Sequence, residues 1–186
     1  MGTVGPRLLR FARNDSVRFH ALRVGEVGGG LRGAGAIGEA ASDVVIVVHS
    51  LAQAIAALKA AAQAGRAVVL ASAPGAGSYV GPGWFGAVID AAREAVPDAQ
   101  FAAVLDCGDD IGGAQAAIRS EIAGVVFIGR ADVARRLADI ARQHGVRLFT
   151  DHPPVALDLG ADFFAVPEVL ERRCAGVLRT PTEERA

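Results

Sequence analysis

A chain of 186 residues has the size of one ordinary domain, and with 52% hydrophobic but only 5% aromatic residues its interior must be built from Ala, Val, Leu and Ile. Basic and acidic residues number 19 and 20, leaving a formal charge of −1, which excludes a global field that would draw the chain to nucleic acid or an anionic membrane. Two cysteines give neither a metal spacing nor a disulfide framework, and no apolar run approaches the roughly 20 residues that cross a bilayer, so a reducing, cytoplasmic setting is expected.

Residues 1–42 are rich in Arg and Gly and hold no sustained periodicity; they read as an irregular extension to a single α/β domain over 43–186. Within them Val17 to Val24 alternates as an edge strand or hairpin arm would, and Gly25 to Gly38 predicts loop. Gly33-Ala34-Gly35-Ala36-Ile37-Gly38 matches the dinucleotide fingerprint letter for letter. Only Glu39 to Asp43 separate it from the next strand, which leaves no room for the crossover helix that the fingerprint must open.

From Val44 the pattern is regular. Val44 to Val48 is β-branched and apolar throughout, as a central parallel strand is. Ser50 can cap a helix marked by Leu51, Ile55, Leu58 and Ala62, with Gly65 as its stop. Ala67 to Ala71 predicts the next strand, and Trp84, Phe85, Val88, Ile89 and Ala92 mark the buried stripe of a helix ended before Pro97. Phe101 to Leu105 and a helix around Gly113 to Ile122 follow, then Val125 to Ile128 and a helix from Asp132 to His144 with Val133, Leu137, Ile140 and Ala141 inward. Arg147 to Thr150 and Phe163 to Val166 predict two further strands, and Pro167 starts a last helix.

This alternation predicts right-handed β-α units around a parallel sheet. Two architectures meet it: an abbreviated or incomplete (β/α) barrel, which the regularity favours, and an open doubly wound, Rossmann-like three-layer sheet. The order of units is similar to that of phosphate-binding (β/α) barrels and related aldolase-like enzymes, a likeness of fold that carries over no residue. Unpaired edges of an incomplete barrel further predict a homo-oligomer, most simply a dimer.

In either architecture ligands bind where strands end, which selects the candidates. Ser72, Gly75, Gly77 and Ser78 lie in a glycine-rich loop whose N–H groups and hydroxyls could cradle a phosphate or carboxylate; it is not a P-loop, and an ordinary turn-rich connection fits as well. Asp106, Asp109 and Asp110 end the third strand, where carboxylates bind Mg²⁺ or move protons, unless Asp109 or Asp110 merely caps the next helix. His49 and His152 end two other strands and with Asp106 would make a ligand set for a divalent metal with open positions, against the simpler reading of solvated histidines. Arg130 could clamp an anionic substrate, or pair with Asp132. Cys107 reads as a buried inert thiol and Asp158 and Asp162 as turn residues. Lys59, the single lysine, sits mid-helix and makes Schiff-base chemistry improbable.

The function expected from these residues is an enzyme of lyase or isomerase type acting on a small anionic or phosphorylated metabolite. Asp106, Asp109, His49 and His152 would be the catalytic groups. The alternative is a noncatalytic ligand-binding or assembly protein of the same fold.

Overall fold

The computed structural model describes residues 44–179; the extension predicted over 1–42, with its strand and its fingerprint, lies outside the described residues. β1 (Val44–Val47) is buried at every position, as a strand packed on both faces must be. Ser50, extended in its backbone, accepts at its hydroxyl from Gln53 N–H and opens α1 (Leu51–Ala64), and Gly65 closes that helix in the left-handed region at φ 62°. A Cβ at Gly65 would meet no atom within 4 Å. The backbone angle alone therefore sets the effect of Gly65→Ala: a loss of about 1 kcal/mol in chemical denaturation. Gly65→Asn should lose less, because Asn tolerates that region.

β2 (Val68–Ala71), the single turn α2 (Ala76–Tyr79), α3 (Gly81–Ala95), β3 (Phe101–Asp106), α4 (Ile111–Arg119), β4 (Gly124–Val126), α5 (Ala131–Gln143), β5 (Arg147–Phe149), β6 (Leu157–Asp158) and α6 (Pro167–Arg179) follow. All six strands are parallel, in the order β5-β4-β3-β2-β1-β6. From β1 to β5 each crossover steps in the same direction, so right-handed crossovers lay every helix on one face.

The side-chain period of two makes that division visible. Ile46, Leu70, Leu105, Val125 and Leu148 pack with Leu58, Phe85, Ile118 and Leu137 of the helices. Val45, Val47, Val69, Ala71, Val104, Val126 and Phe149 form a second buried cluster on the opposite face, to which no helix among the described residues contributes. A doubly wound sheet would be covered by helices on both faces, so the three-layer alternative is excluded. The fold is a singly wound, abbreviated (β/α) barrel, with β6 beside β1 where the last strand of a closed barrel would stand.

The connection from β5 to β6 differs from the others. It contains no helix, and it must cross from one edge of the sheet to the other, five strand spacings or about 24 Å if flat. Residues 150–156 fully extended reach roughly 25 Å, so they run as a strap over the helix-free face. Pro153 and Pro154 suit that course, since proline favours extended backbone and brings no N–H that would need a partner.

The predicted strand over Phe163 to Val166 does not form. β6 is Leu157–Asp158, a 3-10 turn follows at Gly160–Asp162, and Phe163, Phe164 and Val166 are exposed. Trp84, expected in the buried stripe of α3, is likewise 45% exposed, whereas Phe85, Ile89 and Ala92 are buried as predicted. Both corrections have one cause. All ten large apolar side chains that are exposed among the described residues lie on the strap, on segments that follow a strand's C-terminal end, or on the first turn of the next helix, so apolar character at this rim does not mean core.

Candidate active site at the strap-covered rim

Along β3 the alternation sends Ala103, Leu105 and Cys107 to the helix layer and Ala102, Val104 and Asp106 to the opposite face. Asp106 thus stands at the top of a valine-lined surface, 4% exposed. Its Oδ1 accepts the backbone N–H groups of Gly75 at 2.9 Å and Gly108 at 2.8 Å, and its Oδ2 meets His152 Nε2 of the strap at 2.7 Å. The Asp106 N–H donates to Ser72 Oγ at 2.9 Å, and the Ser72 hydroxyl donates to Ala73 O. The glycine-rich turn does bind an anion through its backbone, but that anion is the protein's own carboxylate.

The rest of the loop serves the same purpose. Gly75 takes φ 69°, and Gly77 lets the α2 turn lie directly on the end of β3, where a Cβ would fall 2.5 Å from Cys107 Sγ. Ser78 Oγ donates to Cys107 O at 3.5 Å. Ser72 and Gly75 are thereby engaged with Asp106, and Gly77 and Ser78 with Cys107.

The carboxylate cluster separates. Asp109 is exposed, and Asp110 is the N-cap residue of α4, its carboxylate lying against Gly113. Only Asp106 faces the pocket. Arg130, its side chain 80% exposed, is held by Asp132 through Nε at 3.1 Å and Nη2 at 3.0 Å and does not line the pocket. The expected anion clamp is replaced by the ion pair that a neighbouring acid makes available.

The expected metal triad also divides. His49 Nε2 lies 2.7 Å from Asp158 Oδ1, which accepts Gly160 N–H as well, so the two histidines belong to two different His–Asp pairs. Among the described residues no group of three His, Cys, Asp or Glu side chains is placed to hold a metal ion. Burial alone would raise the Asp158 carboxyl; the hydrogen bonds from His49 and Gly160 outweigh it and hold the group below its ordinary 3.8. A carboxyl depressed by folding stabilises the fold above its unfolded value, and that contribution is lost as the pH falls through the folded one.

Gln53 was not legible as a site residue. It is fully buried on α1, accepts His49 N–H at 2.7 Å and donates to Leu159 O at 2.8 Å, so it ties the end of β1 to the end of β6. The available signal was a polar residue at helical spacing from the buried Ala57 and Ala60.

Cys107 is pushed up to about 12, first by burial and then by the negative charges of Asp106 and Asp110. At neutral pH it is a thiol and no nucleophile. The unfolded thiol ionises near 9.0, so between 9 and about 12 the unfolded chain binds fewer protons and the fold loses stability as pH rises. Cys107→Ala should flatten that alkaline slope. At pH 8 the native protein should react with a disulfide reagent at least about 100-fold more slowly than the unfolded chain.

Val47, Ala71, Val104 and Val126 of the strands, Ser72 and Pro74 of the loop, and His152, Pro153 and Val155 of the strap line with Asp106 a partly open cavity of about 130 Å³. The fold and this site define an α/β protein of the abbreviated barrel type with a small pocket between sheet and strap. Among the described residues no helix is long and apolar enough to cross a membrane.

No protein-family model matches the chain, and no curated protein matches it. Among solved structures it is similar to a "putative fructose-1,6-biphosphate aldolase" from Coccidioides immitis, with 16% identity and a TM-score of 0.49, over 58% of this chain and 40% of that one. A likeness of that extent carries over neither a residue nor a reaction.

Proposed function

We propose that the protein is an acid–base enzyme of lyase or isomerase type that acts on a small metabolite held between the sheet and the strap. The supporting observation is the Asp106–His152 pair at the mouth of an otherwise apolar cavity. Two backbone N–H groups occupy Asp106 Oδ1 and its Oδ2 lies 2.7 Å from His152 Nε2, so in this reading a neutral His152 turns an Nε2 proton toward the carboxylate and keeps Nδ1 as the base. His152 is the group that takes and returns a proton on the substrate, and Asp106 orients it and stabilises the imidazolium that forms. Asp109, Asp110 and Arg130 take no part in this reading, and His49 with Asp158 and Gln53 positions the strand ends.

The test is deuterium exchange at the carbon beside the carbonyl of small ketones in D2O, followed by proton NMR. Exchange above the buffer rate that disappears in His152→Gln supports the proposal. A ketone that binds in the pocket yet exchanges no faster than in buffer makes the protein a binding module instead. Self-association is a separate part of the proposal, since among the described residues β5 and β6 are the edge strands of the sheet and have no further strand beside them. Sedimentation at micromolar concentration that shows only monomer removes it.

A further inference from the structure

From the pocket's walls and its single charge we infer that its ligand is uncharged, a carbonyl or hydroxyl compound whose buried body has about six non-hydrogen atoms. This rests on the reading of the cavity as the substrate site and narrows its chemistry. Size comes first. A cavity of about 130 Å³ is slightly smaller than the engineered apolar cavity of roughly 150 Å³ that holds benzene. A sugar phosphate is far larger.

Charge decides the rest. Among the described residues the lining contains no lysine or arginine, Arg130 is turned away to Asp132, and the Gly75 and Gly108 N–H groups are taken by Asp106. An anion about 4 Å from that carboxylate would be repelled by on the order of a hundredfold or more in affinity at the effective dielectric of a partly buried site. A cation would be drawn to Asp106 but would have to displace His152 and lose its water against Val47, Val104, Val126 and Val155. A neutral molecule needs neither: a hydroxyl can donate one hydrogen bond to the dyad, a ketone brings no charge to desolvate, and the carbon body of either fills the valine-walled space.

A matched set of probes tests this on the full chain by saturation-transfer NMR: 3-methyl-2-butanone, isobutyrate, isobutylammonium and glycerol 3-phosphate. The ketone is expected to bind at least tenfold more tightly than any of the other three. Asp106→Asn should bring isobutyrate to within a fewfold of the ketone, because the repelling charge is gone while the space is unchanged. Val155→Phe, at a half-exposed position of the strap, should abolish ketone binding by filling the pocket and leave the fold intact. Isobutyrate, isobutylammonium or the phosphate binding as tightly as the ketone overturns the inference, as does a ketone that fails to saturate or is indifferent to Val155→Phe. These outcomes are read from binding alone. A failed acid–base mechanism shows instead as a ketone that binds as expected and does not exchange deuterium.

Discussion

Replacing Gly77 by alanine is expected to destabilise the protein by about 2–3 kcal/mol and to lower Tm by roughly 5–10 °C. The added Cβ would lie 2.5 Å from Cys107 Sγ, 3.1 Å from Cys107 Cα and 3.2 Å from Asp106 O. Two of those three atoms are backbone at the end of a central strand, so rotating one side chain cannot relieve the overlap. The α2 turn must lift, and with it the Gly75 N–H that holds Asp106. Cys107→Ala in the same chain removes only the sulfur contact, so a double-mutant cycle should show partial rescue of roughly 1 kcal/mol. Gly86, within α3, is the control. A Cβ there meets nothing within 4 Å, and Gly86→Ala should stabilise by about 0.5–1 kcal/mol through helix propensity. Should Gly77→Ala unfold at the same temperature as the native sequence, the turn does not press on β3 and the cradle of Asp106 is looser than described.

What could be read in the sequence follows from the range over which each signal acts. Caps, turn glycines and hydrophobic period are local, and Ser50, Gly65, Pro167 and the five helix-linked strands were legible for that reason. The choice between barrel and doubly wound sheet depends on which face each crossover takes, a long-range property that no window of residues contains. β6 was missed because two residues carry no period, while Phe163 to Val166 carries an apolar signal at a rim where exposure is the rule. The rim candidates were found by the rule that ligands sit where parallel strands end, and it brought Asp106 and His152 together. The same rule could not tell His49 from His152. That difference is made by strand order, which places β6 and its Asp158 beside β1, and by the strap that carries His152 over the open face to Asp106. The glycine-rich loop meets a related limit: the acceptor of its Gly75 N–H, Asp106, is 31 residues away in sequence.

Asp106→Ala and Asp106→Asn should separate the structural and chemical roles of this carboxylate. Alanine leaves the Gly75 and Gly108 N–H groups without their acceptor in a site that is 4% exposed, and an expected loss of about 3–5 kcal/mol follows from stranding donors that water reaches poorly. Asparagine keeps the volume and one acceptor oxygen, which can still take both backbone donors, so it should cost only about 1 kcal/mol. Its amide NH2 then faces Nε2 of His152, where the carboxylate accepted. Two donors cannot share that contact, and the imidazole responds by moving its proton to Nδ1 and accepting at Nε2. The Nδ1 base of the proposed mechanism is lost. Deuterium exchange in the bound ketone should fall by about 100-fold or more while the fold persists. Nitrogen-15 NMR of the imidazole reads the tautomer directly, with Nε2 protonated in the native protein and Nδ1 protonated in Asp106→Asn. An unchanged tautomer accompanied by unchanged exchange would show that Asp106 holds the strap through His152 and does nothing to its chemistry. A changed tautomer with full exchange would move the base elsewhere on the rim.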